Sequence, residues 1–189
     1  MAGPKFTDMP VANGAEAFFA HLNANPDVDY IFANTGTDHG PILEALANMH
    51  RSESKGAKII VVPHEQAAVS MAHGYYCASG KPQVVLVHTL PGTANGLGGL
   101  MNAKACQVPL LFVAGRTPVT EGELAGGKSR HIHWRQESRD QGSIVREFVK
   151  WDFENRGHEQ LGAIVPRAFK LAMAAPKGPV YLSLPREWL

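Results

Sequence analysis

Five short apolar runs, rich in β-branched residues, recur along this chain: "DYIFAN", "AKIIVV", "QVVLVH", "PLLFVAG" and "GPVYLSL". Each is broken by a polar turn or a proline, and segments of helical period separate most of them. A strand that is apolar throughout has to be covered on both faces. Strands alternating with helices therefore predict a parallel sheet between two helical layers. The expected fold class is α/β: a three-layer α/β/α, doubly wound, mostly parallel sheet in a single domain over 1–189. The 189 residues lie within the usual size of one domain.

The helical segments follow from spacing. Residues 11–25 place Ala17, Phe18, His21 and Leu22 on one face, which predicts a first helix. Pro41 suits the first position of a helix running to about Met49. Pro63 ends the second strand, and Glu65 to Ser79 is helical. Residues 95–107 are predicted helical despite their glycines, with "GLGG" at 96–99 read as close helix packing. Residues 116–139 form a polar, glycine-rich loop, and 140–149 read as a short helix. "EQLGAIVPRAFKLAMAA" is a further helix, bent or started at Pro166.

Composition excludes several classes. A formal net charge of +1 gives no electrostatic case for nucleic acid or an anionic membrane. The two cysteines, Cys77 and Cys106, are no disulfide framework; both fall in helical patterns and are expected to be small buried residues. The opening "MAGPKFTDMP" lacks the apolar centre of a signal peptide. No apolar run approaches the roughly 20 residues that span a bilayer. The expected setting is cytoplasmic.

In open parallel sheets, ligands sit at the carboxyl ends of the strands. The segments "NTGTDH", "PHE" and "HTLPGTAN" all fall there, which puts Thr37, Glu65 and His88 on one edge. Each has an ordinary alternative: Glu65 as a helix-start carboxylate, His88 as a hydrogen-bonded structural group, and Thr37 as a turn residue. No glycine fingerprint for a dinucleotide follows the first strand, and neither a phosphate-binding P-loop nor a serine-hydrolase elbow is present. "HIHW", with His131 and His133, reads as loop rather than as metal ligands. No metal ligand is assigned to this chain.

An ordered set of short motifs resembles the N-terminal, pyrimidine-binding domain of thiamine-diphosphate-dependent decarboxylases and carboligases. The motifs are His64-Glu65-Gln66, Gly74-Tyr75, Gly80-Lys81-Pro82 and the loop Pro91-Gly92-Thr93-Ala94-Asn95. The end, "GPVYLSLPREWL", resembles that domain's last strand, with 185–189 beginning an exit linker. Asn34-Thr35-Gly36-Thr37, His88-Thr89, "GTANGLGGL" and "VKW" are similar to the benzoylformate decarboxylase-like branch. "WRQE", at 134–137, is similar to the acetolactate synthase-like branch. Thr35 stands where the decarboxylase branch has proline, Thr37 where it has serine, and Leu90 where synthases have glycine.

The resemblance implies an enzyme that decarboxylates a 2-oxo acid. The alternatives are an acetolactate synthase-like carboligase and a non-catalytic module that kept the fold. It implies that Glu65 activates the cofactor, His88 relays protons and Thr37 holds the substrate carboxylate. Asn34, Thr35, Gly36, Thr89 and Asn95 would shape the cofactor slot beside Glu65. Burial should raise the pKa of Glu65 while the helix start should lower it. The Gly-Asp-Gly motif that carries Mg2+ and the diphosphate in this family does not occur in the sequence. The central and diphosphate-binding domains are therefore expected outside this chain. The family's cofactor lies against the diphosphate-binding domain of a neighbouring subunit, which implies a homodimer or homotetramer.

Overall fold

Successive side chains of a strand point to opposite faces, so the apolar runs must find two separate cores. A computed structural model describes residues 10–51, 56–122 and 125–189; the opening segment read above lies mostly outside them. Six strands form one sheet: β1 (Tyr30–Asn34), β2 (Lys58–Val61), β3 (Val84–Val87), β4 (Leu111–Arg116), β5 (Asp152–Glu154) and β6 (Val180–Pro185). Their order is β2-β1-β3-β4-β6-β5, and every pairing is parallel. The helices are α1 (Gly14–Asn23), α2 (Gly40–Arg51), α3 (Glu65–Ser79), α4 (Thr89–Asn95), α5 (Leu97–Ala105), α6 (His131–Arg135) and α7 (Leu161–Met173).

Ile31, Ala33, Leu86, Val113 and Leu182 form one core with apolar residues of α1, α2 and α7. The alternate residues Phe32, Val85, Phe112 and Tyr181 form the other core with α3 and α5. The three-layer arrangement expected from the apolar runs is thus the one observed. The glycines at 96–99 allow close approach, as read above. A Cβ on Gly96 would lie 2.6 Å from Phe112 Cζ, and one on Gly99 would lie 2.7 Å from Val69 Cβ.

Several expectations need correction. β5 was absent from the sequence reading because it has three residues, and two are acidic. Its carboxylates are held by arginines: Asp152 by Arg146 at 2.7 Å and Glu154 by Arg116 at 2.7 Å. Residues 140–149 form two 3₁₀ turns, Gly142–Ile144 and Arg146–Phe148, instead of a helix. Arg146 draws Asp140 and Asp152 together there, which favours a compact turn. The edge strand β2 is partly open, with Val61 76% exposed. Both cysteines are exposed, not buried. Cys77 lies on the outer face of α3 and Cys106 follows the end of α5. The helix expected over 95–107 starts at Leu97 as α5, and the preceding segment, read as a loop at 91–95, is helical as α4.

Helix α7 runs through Pro166, which sits on its exposed side. The missing N–H frees the carbonyl of Gly162, also exposed, so water can take the lost bond. At the amino edge of the sheet, Gln83 is fully buried. Its Oε1 accepts from the N–H groups of Asp29 (3.0 Å) and Tyr30 (2.7 Å). Its Nε2 donates to the carbonyls of Asp27 (2.9 Å), Lys81 (3.1 Å) and Pro82 (3.0 Å). The last strand runs into a 3₁₀ turn, Arg186–Trp188, where Glu187 is buried. Glu187 Oε1 accepts from the N–H of Val119 (2.7 Å) and of Thr120 (2.9 Å). Among the described residues, no helix is long and apolar enough to cross a membrane.

Candidate active site

The chain leaves β1 for β2 on one side and later returns to β3 on the other. The carboxyl ends of β1 and β3 are therefore a topological switch point, where open sheets form a crevice. The structure brings Gly36, Glu65, His88 and Asn95 together at that crevice.

Asn34 closes β1, and its Nδ2 donates to the Val62 carbonyl at 2.9 Å. This bond ties the end of β1 to the turn that launches α3. Glu65 is the first residue of α3 and is only 8% exposed. His64 caps the helix by accepting from the Gln66 N–H, leaving the Glu65 carboxylate free for other partners. Glu65 Oε2 accepts from Asn95 Nδ2 at 3.1 Å. Its Oε1 lies beside the Gly92 backbone, 3.4 Å from where a Cβ would stand.

Beyond β3, Thr89 adopts φ 36, the left-handed region unusual for a residue with a Cβ. It is buried, and its Oγ1 has no hydrogen-bond partner. Strain of this kind gathers at functional sites. Thr35 and Thr37 are exposed at the turn after β1. The next residue, Asp38, is buried.

Asp38 and His39 are the residues that the sequence reading missed. Asp38 is 5% exposed and His39 is fully buried. Asp38 Oδ1 makes a short hydrogen bond with His88 Nδ1. Asp38 Oδ2 lies 3.3 Å from His39 Nε2, close but without the alignment of a hydrogen bond. His39 Nδ1 accepts from the Gly36 N–H at 3.1 Å. Accepting there leaves the proton of neutral His39 on Nε2, facing Asp38. Gly36 has to be glycine for steric reasons, since a Cβ would overlap the His88 ring.

The loop after β4 closes over the same edge. Arg116 donates to the Ser138 carbonyl through Nη1 and Nη2, both at 3.2 Å. Buried Gln141 donates to the Gly115 carbonyl (2.9 Å) and to the Tyr181 hydroxyl (2.9 Å). The Tyr181 hydroxyl also lies 3.0 Å from Thr93 Oγ1 on α4, and burial pushes its pKa up to about 12. So anchored, the loop brings the Gln136 side chain near His88, whose pKa it helps to raise. His133 lies away from this group, with Nδ1 accepting from the Ser129 N–H at 3.2 Å.

The two histidines beside Asp38 are shifted in opposite directions. The hydrogen bond to Asp38 raises the pKa of His88 against the effect of burial, and Gln136 and Glu65 add to the rise. Burial lowers the pKa of His39, which outweighs the attraction of Asp38. Burial also lowers His21 and His133.

Stability should follow these signs. Unfolded histidine takes up a proton below about pH 6.5. His21, His39 and His133 resist protonation when folded, so their contribution falls as pH drops through 6.5 toward their folded values. His88 works the other way: its contribution is full below about 6.5 and is lost as pH rises through its raised value. Below about pH 6.5 the His88 contribution is already full, so urea unfolding should show stability falling from about pH 6.5 to about pH 5. His39→Gln should reduce that acid-side fall, and an unchanged slope would exclude His39 as a source of it.

The family described as thiamine pyrophosphate enzyme, N-terminal TPP binding domain, matches residues 12–144. Benzoylformate decarboxylase of Pseudomonas aeruginosa is 31% identical over 157 residues, which cover 83% of this chain and 27% of that protein. The mitochondrial acetolactate synthase catalytic subunit of Saccharomyces cerevisiae is 32% identical over 169 residues, 89% of this chain and 23% of that protein. A solved thiamine diphosphate-dependent 4-hydroxybenzoylformate decarboxylase from Rhodococcus jostii superposes with a TM-score of 0.77 at 26% identity. That match covers 94% of this chain and 31% of the other. The chain thus spans about a quarter of the length of these curated relatives.

Proposed function

The chain belongs to the thiamine pyrophosphate enzyme family through that family's N-terminal cofactor-binding domain, and from that premise we propose that it supplies the pyrimidine half of a site that decarboxylates a 2-oxo acid. The observation that carries the reading is the Glu65 carboxylate, buried at the sheet's switch point with one oxygen held by Asn95. Its other oxygen has the Gly92 backbone beside it, where a Cβ would lie 2.9 Å from Val87 Cβ and 3.4 Å from the carboxylate. These residues fit thiamine diphosphate: a carboxylate for a pyrimidine nitrogen, and a slot walled by Gly36, Thr89 and Gly92.

When bound, the cofactor supplies a nucleophilic thiazolium carbon and an acceptor for the electrons released with carbon dioxide. Glu65 holds and returns a proton at the pyrimidine nitrogen, a task for a carboxylate because the proton must move both ways at low cost. Asn95 fixes the carboxylate's orientation. His88 carries a proton at the substrate side, its pKa raised by the hydrogen bond to Asp38. Thr37, exposed at the turn, offers a hydroxyl to the substrate carboxylate. The diphosphate and its Mg2+ are assigned to another domain, supplied by a second copy in a homo-oligomer.

Carboligation is the second reading, favoured by acetolactate synthase relatives of similar identity. Product analysis of the full-length protein separates the two. With pyruvate or benzoylformate, the expected products are carbon dioxide and the corresponding aldehyde. An acetohydroxy acid as the main product from pyruvate would replace decarboxylation by carboligation. Absence of turnover and of thiamine diphosphate binding by calorimetry would overturn both.

A further inference from the structure

We propose that Asp38 is a positioning residue that fixes the proton of His88 on Nδ1 and turns His88 Nε2 toward the reacting side of the Glu65 crevice, with His39 steadying Asp38 from behind. Three features of the geometry support this. The first is the pairing itself. Asp38 Oδ1 meets His88 Nδ1 from a position only 5% exposed, so water does not compete for the carboxylate. A carboxylate accepts and does not donate, so Nδ1 must carry the hydrogen. That is the reverse of His39, whose Nδ1 accepts from Gly36.

The second feature is the enclosure. A Cβ on Gly115, at the end of β4, would overlap Asp38, and a Cβ on Gly36 would overlap His88. Two backbones pass close to the pair because both positions are glycine, and the side chains are fixed in place by contact. The third feature is the chain of contacts from Gly36 through His39 and Asp38 to His88. It ties the turn after β1, part of the proposed cofactor slot, to the imidazole after β3. Displacement of that turn would be felt at His88.

The charged and polar groups facing His88 are Asp38 and His39 from the turn after β1, Glu65 from α3, and Gln136 from the loop after β4. Asp38 is the strongest influence among them and raises the pKa of His88 against the effect of burial. The functional part of the proposal rests on the reading of His88 as the proton carrier. The assignment of the proton to Nδ1 does not.

The test is nitrogen-15 NMR of the histidine side chains in the full-length protein, with His88→Gln used to assign the signal. In wild type, His88 should titrate above the ordinary histidine value of about 6.5. Its neutral form should be the Nδ1–H tautomer, the less common one in free imidazoles. Asp38→Asn should lower the titration midpoint and abolish the Nδ1–H preference. In turnover, Asp38→Asn should lower kcat about 10- to 100-fold at pH 8 and less at pH 6, because acid restores the lost proton. A wild-type His88 in the Nε2–H tautomer would overturn the proposal, and so would a midpoint unchanged by Asp38→Asn. If Asp38→Asn does not fold, the wild-type tautomer decides alone. Failure of these spectra leaves the decarboxylase reading standing, while failure of the product analysis leaves the Asp38–His88 pairing standing.

Discussion

Glutamine in place of Glu65 leaves the fold intact and slows removal of the thiazolium proton by about 100- to 10,000-fold in the full-length protein, the range for loss of a positioned acid-base group. The substitution is close to isosteric. The amide oxygen of glutamine can still accept from Asn95, which holds Glu65 Oε2 at 3.1 Å. The amide nitrogen then faces the pyrimidine, where it cannot hand over and recover a proton at neutral pH. Urea unfolding should place the variant near wild type. Exchange of the thiazolium proton for deuterium, followed by proton NMR, reads the chemistry directly. Wild-type exchange in the variant would show that Glu65 is a structural carboxylate at a helix start and no more.

Phe112→Ala should cost about 3–5 kcal/mol, the usual range for emptying a buried aromatic site. Phe112 is fully buried on β4, tilted against Tyr181 with ring centroids 5.8 Å apart. Its ring tip lies under Gly96, where a Cβ would be 2.6 Å away. Gly96→Ala alone should therefore cost about 1–3 kcal/mol through overpacking. In the Phe112→Ala background the same methyl enters a void. The double variant should be more stable than the sum of the single losses by about 0.5–3 kcal/mol. Urea titration of the four proteins measures this coupling. Strict additivity would mean that the two positions do not share the space. Gly96 follows Asn95 directly, so loosening Phe112 should also weaken the hold on Glu65 and lower cofactor affinity.

The parts of the site that could be read from sequence share one property: they are polar residues ending a strong apolar run. Glu65 and His88 interrupt runs that would otherwise be core, and the period of the chain places both on one edge. Asp38 and His39 carried no such signal. In "TGTDHG" an acid and a histidine beside glycines look like ordinary turn chemistry, and only the backbone path turns Asp38 inward while Thr37 stays out. Gln136 was hidden in a loop whose course depends on Arg116, Gln141 and Glu187, contacts made across 22, 26 and 67 or more residues of sequence. The sheet was legible where strands are covered on both faces. β5 was not, because an edge strand of "DFE" is held by arginines instead of by apolar packing. Cys77 was misread because α3 carries small residues on both sides, Ala68 and Ala72 buried but Cys77 and Ala78 exposed, and Cys106 because it caps the end of α5 instead of lying within it.

Gln83 separates the two rims of the sheet in a way that bears on how such a chain can change over time. At its rim, one amide side chain is bonded to five backbone groups in the connections before β1 and β3. A slip of one residue would send every side chain to the wrong face, and it would first have to undo those bonds. The opposite rim, with 35–39 and 88–95, has no share in holding register from that end. Substitutions there can swap a hydroxyl for a carboxylate, or move an imidazole's partner, while the strands keep their alignment. A new substrate preference can therefore arise by small edits to one rim, each tolerated before the next, because the other rim preserves the frame in which the edits are read.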